Sequence, residues 1–175
     1  GTEDLYTIGT VASIMRLINI PEGGVKILVQ GLYKVRAREV IAHDDGILSS
    51  VDTIDMPYEQ TDPAITARIH NIKNIAEKMA SSGQFFSPDF YAIISRIQDP
   101  EKISDFVLSH LNLPVDQAQK LLELPSMAQF LEQIHSHLQH EFEVVQMEEN
   151  IKSRARESMN KAQKEFCLRE QIRAI

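Results

Sequence analysis

The sequence predicts an α+β fold in which a partial β domain is followed by an α-helical bundle and one very long C-terminal helix. The first sixty residues are rich in β-branched and apolar runs that glycine-containing turns separate. Aspartate-proline and serine-proline pairs then open a series of amphipathic segments, and no proline or glycine occurs after Ser126. We therefore expect a β-rich subdomain over residues 1–60, a helical bundle over 61–125 and the long helix over 126–175.

The β-rich part begins with a predicted hairpin. Residues 10–18 are β-branched and apolar without helical caps, and residues 25–29 have the same character. The turn between them, residues 21–24, contains two glycines that can adopt positive φ. Gly31 interrupts the return strand at a position typical of a β-bulge.

The return strand continues with alternating side chains and leads to a third strand. A turn at 44–46 precedes this strand, which is predicted over residues 47–54. Three strands leave long edges open, so we expect partner strands before Asp4 in a longer polypeptide. The alternation predicts one apolar face (Tyr33, Val35, Ala37) and one solvated basic face (Lys34, Arg36, Arg38).

Three helices of the bundle start at a proline. Asp62 is a predicted N-cap before Pro63, and Ser81-Ser82-Gly83 ends that helix. The pairs Ser87-Pro88 and Asp99-Pro100 open helices of about ten and twelve residues. A short helix follows Leu113-Pro114, and the stripe that packs the first helix is Ile65, Ile69, Ile72, Ala76 and Met79.

The last helix starts at a capping box in which Gln129 can reach back to the Ser126 amide. Its 50 positions would extend about 75 Å at 1.5 Å per residue. The core stripe of its first half is Leu131, Ile134, Leu138, Phe142 and Val145. Beyond Glu148 a thinner seam remains for a partner, consisting of Ile151, Ala155, Met159, Ala162 and Phe166.

Composition excludes several classes of protein. A net charge of −7 argues against a nucleic-acid partner, because phosphate contacts need clustered Lys and Arg. No apolar run approaches the roughly 20 residues that span a bilayer, so no membrane partner is expected. Cys167 is the only cysteine, which rules out an internal disulfide and favours a reducing compartment.

No catalytic or cofactor-binding constellation is present in the sequence. None of the seven glycines precedes a lysine, so the P-loop pattern for phosphates is absent, as are H-E-x-x-H and G-x-S-x-G. His135, His137 and His140 with Glu141 are candidate metal ligands by residue type. A solvated polar helix face is the preferred interpretation, because structural zinc sites draw on cysteine or on separate elements. We predict no catalytic, cofactor or metal residue in this chain.

Two phenylalanines precede the second helix of the bundle. Phe86 comes just before Ser87 and is predicted to pack on Tyr91 as a hydrophobic staple. Phe85 is left as a candidate anchor for a bound peptide. The predicted substrate or partner contacts are Phe85, Ile151, Met159 and Phe166.

Several strings resemble the Lon family of ATP-dependent proteases. "DLYTIGTVASI" and "VKILVQGLYKVRAREV" resemble the second part of its PUA-like, substrate-binding β domain. "LLELPSMAQFLEQI" is similar to the entry into the long helix of the family, and "EENIKSRARESMNKAQKEFCLREQIRAI" to the helix before its AAA+ module. Phe166-Cys167 departs from the two tyrosines that are common there. The resemblance covers essentially the whole chain.

The resemblance implies a non-catalytic N-terminal region of a homohexameric serine protease of the cytoplasm, bacterial rather than mitochondrial. ATP, Mg²⁺, the Walker motifs and the Ser–Lys dyad would lie outside this chain. The expected partners are unfolded or damaged protein substrates and other copies of the chain. The alternative is a purely structural module that spaces and assembles the ring through its long helix, without binding substrates.

Overall fold

The computed structural model describes residues 2–21, 23–83 and 86–174 and confirms the α+β class. A short 3-10 turn, Thr2–Asp4, precedes the antiparallel strands β1 (Ile8–Asn19), β2 (Val25–His43) and β3 (Gly46–Thr53). The helices are α1 (Pro63–Ser82), α2 (Pro88–Ile94), α3 (Pro100–Leu108), α4 (Val115–Leu122) and α5 (Met127–Arg173).

The chain divides into two compact units. One comprises Gly1–Glu59 with Leu111–Phe130, and the other comprises Gln60–His110 with Leu131–Ile175. The predicted three-part division follows the order of elements along the chain and stays a prediction. Within the described residues, no helix is both long enough and apolar enough to cross a membrane.

The sheet of the first unit has the order β1-β2-β3. The predicted bulge occurs beside Gly31: Val11 pairs with Tyr33 and Ala12 with Gly31, which leaves Leu32 without a partner on β1. A Cβ on Gly31 would lie 3.3 Å from Cγ2 of Thr10, so the close approach favours glycine there.

Few apolar side chains of this first unit are fully buried. Hydrogen bonds connect the sheet to α4, where the side-chain amide of Gln119 donates to the carbonyl oxygen of Ile8 at 2.9 Å. The core formed at this end of the sheet consists of Ile8, Val35, Leu111, Leu121 and Met127.

The second unit has a denser core. Asp62 caps α1 by accepting from the Ala64 amide at 2.8 Å, and Gly83 ends the helix with φ 68°, as the sequence predicted. The largest fully buried side chains here are Ile72, Met79, Ile94, Ile103, Val107, Leu131, Ile134 and Leu138.

Two helices of this unit are shorter than predicted. Helix α2 has seven residues and α3 has nine, against expectations of about ten and twelve. Each ends at a serine whose hydroxyl donates to a carbonyl three residues earlier, Ser95 to Ala92 at 3.1 Å and Ser109 to Phe106 at 2.7 Å. Such local bonds compete with the helical ladder, which explains the early termination.

Helix α5 has 47 residues, a length of about 70 Å at 1.5 Å per residue. The amide of Gln129 donates to the hydroxyl of Ser126 at 3.3 Å, which confirms half of the predicted capping box. The Gln129 side chain accepts from the same hydroxyl at 3.2 Å rather than reaching the Ser126 amide.

Candidate functional site

An exposed apolar surface lies on the β1–β2 hairpin. Ile14 pairs with Val29 and Leu17 with Ile27, and directly opposite residues of an antiparallel pair have side chains on the same face. These four side chains, which we call the hairpin face, are between 49% and 62% exposed. Contiguous apolar patches of this kind mark interaction surfaces.

The opposite side of the same hairpin has a different chemistry. Its pairs are Ser13 with Gln30, Arg16 with Leu28, and Ile18 with Lys26. Polar and cationic groups therefore alternate with apolar ones there. The opposite side of the hairpin is therefore less uniformly apolar than the hairpin face.

Both outer strands of this sheet have one free edge within the described residues. β1 and β3 each pair only with β2, so no second strand covers the outer edge of either, although the Ile8 carbonyl of β1 accepts from the Gln119 side chain. The edges predicted from the sequence are therefore present in the structure.

Three of the four predicted contact residues lie on the exposed part of α5. Ile151, Met159 and Phe166 are 67%, 63% and 64% exposed. At 100° per residue they fall within an arc of about 80°, and we call them the tail seam. The fourth, Phe85, lies outside the described residues. Cys167, next to this seam, has an exposed free thiol.

The predicted packing of Phe86 on Tyr91 stays a prediction, and the structure shows a different aromatic partner for Phe86. Phe86 is buried and stacks on Phe90, one residue earlier in α2, with ring centroids 3.7 Å apart and an interplanar angle of 5°. The Phe90 ring also stacks on Phe106 at 5.0 Å and meets His110 edge-on at 4.9 Å. No sequence pattern indicates Phe106 and His110 as partners of Phe90, because they come from α3 and the turn after it.

The predicted solvated basic face of β2 is wrong for one of its three residues. The Lys34 ammonium donates to the carbonyl oxygens of Leu122 and Leu124, at 2.9 and 3.1 Å, and its burial lowers its pKa. It therefore satisfies carbonyl groups at the C-terminal end of α4. Arg36 and Arg38 are exposed, and Arg38 forms an ion pair with Asp52.

Polar groups of the second unit surround a cleft that no sequence motif indicates. The cleft has a volume of about 410 Å³ and lies between the first half of α1 and the segment that enters α3. Its lining combines residues from 60–73 with residues from 98–100, and no local motif joins these segments. Among the described residues, no group of three His, Cys, Asp or Glu side chains could hold a metal ion.

The family model and the similar proteins that match this chain point to the same family. Residues 1–140 match the family model described as the ATP-dependent protease La (LON) substrate-binding domain. The chain is 34% identical over its full length to a Lon protease of Desulfovibrio desulfuricans, and 37% identical over 99% of its length to one of Geobacter metallireducens. It spans only 20% and 21% of those relatives, about a fifth of each.

Two solved structures share the fold. The N-terminal domain of a Mycobacterium avium complex Lon protease superposes with a TM-score of 0.63, at 20% identity, over 78% of this chain and 72% of that one. A Lon N-terminal domain protein from Xanthomonas campestris gives a TM-score of 0.51, at 15% identity, over 75% and 68%. At these identities the likeness concerns the fold alone.

Proposed function

The chain belongs to the family of Lon substrate-binding domains, and on that premise we propose that it captures unfolded or damaged proteins for an ATP-dependent protease. The observation that carries the proposal is the match of residues 1–140 to the substrate-binding model. The chain corresponds to this region of the relatives and not to their catalytic parts.

The hairpin face is the surface proposed for client contact. Unfolded proteins expose apolar side chains, and burying them against Ile14, Leu17, Ile27 and Val29 would remove apolar area from water at about 25 cal/mol per Å². A face of four side chains gives weak binding in one copy. Several copies in one assembly would multiply that affinity through a high effective concentration.

Fluorescence anisotropy with a labelled, permanently unfolded client tests this surface. Leu17→Thr removes apolar area while keeping a residue that favours strands, so we expect weaker binding. Val115→Thr is the matched control, because Val115 is 75% exposed on α4 and is not part of the hairpin face. No detectable association of the unsubstituted chain at high concentration, or equal affinities of Leu17→Thr and the unsubstituted chain, would reject the hairpin face.

A second role, ring organisation, is favoured by the tail seam. Exposed Ile151, Met159 and Phe166 on one side of a long helix suit pairing with another helix. We propose that copies of the chain associate through this seam in a homohexamer. Under this alternative the region is structural and clients bind elsewhere.

Light scattering separates the two roles. Met159→Gln combined with Phe166→Gln keeps good helix formers but removes apolar area from the seam, and should lower the associated mass. Glu157→Gln combined with Glu165→Gln changes the same number of exposed tail positions outside the seam and should leave the mass unchanged. Association that survives the seam variant would exclude this interface.

The parent protein's chemistry is proposed to lie outside this chain. ATP and Mg²⁺ would bind the AAA+ module, and a serine protease domain would cleave the client. We also propose the bacterial cytoplasm as its location, because the relatives named above are bacterial. Purified chain should therefore neither hydrolyse ATP nor cleave peptides, and turnover in a contaminant-free sample would contradict this assignment.

A further inference from the structure

The cleft beside α1 has an apolar floor. Ile65 and Ile69 lie one turn apart on α1, and both are buried. Pro100, the first residue of α3, is buried on the other side. These three residues line a volume of about 410 Å³, within the range typical of small-ligand pockets.

The remaining lining residues are polar or cationic. They supply two side-chain amides, a hydroxyl, an imidazole and an ammonium group, and no carboxylate is among them: Gln60, Thr66, His70, Lys73 and Gln98. In a chain with a net charge of −7, an acid-free concave surface that contains a cation differs from the average surface. This lining fits an anionic group better than a cationic one.

Lys73 is the cation of this cleft. Its ammonium donates to the carbonyl oxygen of Ser95 at 3.1 Å, and this bond uses one of its three donors. Partial burial lowers its pKa, because water is removed without an opposing charge to replace it. A carboxylate beside Lys73 would supply that charge.

Two aspartates near the lining in sequence, Asp62 and Asp99, accept hydrogen bonds at helix starts. Asp62 accepts from the Ala64 amide at 2.8 Å at the start of α1. Asp99 accepts from the Glu101 amide at 2.9 Å at the start of α3. Both carboxylates therefore cap helices and do not line the cleft.

We propose that this cleft binds a peptide carboxylate joined to an apolar side chain, with the carboxylate at Lys73 and the apolar group over Ile65 and Ile69. The carboxylate could come from an acidic side chain or from a free chain end. This inference rests on the proposed client-binding function, since it names a class of client segment, acidic and apolar together. It adds a polar determinant to the apolar contacts of the hairpin face.

Amide chemical shifts of the isotope-labelled 175-residue chain test the proposal with two pairs of peptides. Acetyl-Leu-Glu-Leu-amide is compared with acetyl-Leu-Gln-Leu-amide, and acetyl-Ala-Leu acid with acetyl-Ala-Leu-amide. Each pair differs by one carboxylate, one in a side chain and one at a chain end. We expect at least one acid to shift the amide signals of Ile69, His70 and Gln98 with an affinity about tenfold above its neutral partner. The pair that shows this difference identifies the source.

Lys73→Met keeps an aliphatic chain but removes the charge, and should abolish the preference for the acid. Lys78→Met, an exposed lysine on the same helix outside this cleft, is the matched control and should retain it. Lys73→Arg keeps the charge and should restore much of the preference. If Lys73→Met fails to fold, as thermal melting would show, Lys73→Gln also removes the charge and provides a second variant with the same expected loss.

Three outcomes overturn the proposal: no shift with any of the four peptides, equal affinities within both pairs, or a preference that survives Lys73→Met in a folded chain. These failures are distinct from failure of client capture. A chain that binds unfolded client equally well with and without Lys73 keeps its proposed function and loses this cleft. A chain that binds the acids but not the client keeps the cleft and loses the broader role.

Discussion

Helix α5 consists of two stretches with opposite environments. In the first, Leu131, Ile134 and Leu138 have 0% exposure and contribute to the core of the second unit. In the second, every residue from Gln146 to Ala174 is exposed. The backbone is helical throughout, so one continuous element is stabilised in two different ways.

The first stretch is helical because its apolar stripe is packed, and the second because its residues favour helix locally. Most residues after Gln146 are Glu, Lys, Arg, Gln, Ala or Met, which have high helix propensity, and none is Gly or Pro. Starting a helix is the costly step and lengthening it is not. The packed stretch therefore supplies a formed helical end from which the exposed stretch continues.

The largest expected effect comes from removing packing in the first stretch. Leu138→Ala should reduce the free energy of unfolding by about 2–5 kcal/mol, because it deletes buried methyl groups and leaves a cavity. Leu168→Ala, at a 58% exposed position of the same helix that is not part of the tail seam, should change it by less than about 0.5 kcal/mol. Urea unfolding of both variants measures the difference, and equal losses would show that the exposed stretch is packed in solution.

A smaller effect is expected from the cap of α1, which packs in the same unit. Asp62→Ala removes the acceptor of the Ala64 amide and should cost about 1 kcal/mol. Glu157→Ala removes a carboxylate from the exposed stretch without removing a cap, and should stay within about 0.5 kcal/mol. A Tm that falls equally in both variants would contradict the role of the cap.

Glycine substitution distinguishes local from global stability. Ala76 is fully buried in α1, so Ala76→Gly should lower the global free energy of unfolding by about 1 kcal/mol or more. Ala155→Gly carries a similar local cost, but that cost should appear only as faster hydrogen exchange of nearby α5 amides. A lowered global unfolding midpoint for Ala155→Gly would mean that the exposed stretch unfolds together with the core.

The same contrast explains which features the sequence could predict. Caps and stripes are local, so Asp62, Gly83 and the buried residues Leu131, Ile134 and Leu138 were predicted correctly. The exposure of the tail seam was also predictable from the helical spacing of apolar residues, because the apolar stripe of a helix narrows where nothing packs against it. In these cases neighbours along the chain determine the environment.

Contacts between distant segments were not predictable in this way. Lys34 looked solvated because its neighbours on β2 are basic, yet its ammonium meets carbonyl groups 88 and 90 residues away. The hairpin face was hidden in the run Val25-Lys26-Ile27-Leu28-Val29, whose apolar residues point to both sides and obscure the alternation. The α1 cleft combines segments about 30 residues apart, which no spacing rule joins.

The smallest predicted effect concerns the pH dependence of stability that arises from partial burial of the Asp105 carboxyl on α3. Partial withdrawal of its carboxyl from water raises its pKa, and the nearby Asp99 carboxylate raises it further. The folded chain therefore holds this proton more tightly than the unfolded chain, whose carboxyl titrates near pH 3.9. The protonated Asp105 carboxyl therefore adds to the free energy of unfolding. This contribution is fully present below the pKa of the unfolded chain and is lost as the pH rises through the pKa of Asp105 in the folded chain.

Asp105→Asn removes this titration, so its stability should not fall across that pH window as that of the unsubstituted chain does. At neutral pH the variant should be slightly more stable than the unsubstituted chain, since an amide carries no charge to desolvate. Asp105→Glu retains a carboxyl and should retain a decline. Urea midpoints measured at half-unit steps from pH 3 to pH 7 give the three slopes. Parallel curves for Asp105→Asn and the unsubstituted chain would mean that the Asp105 carboxyl is fully hydrated, and that packing in this unit imposes no electrostatic cost there.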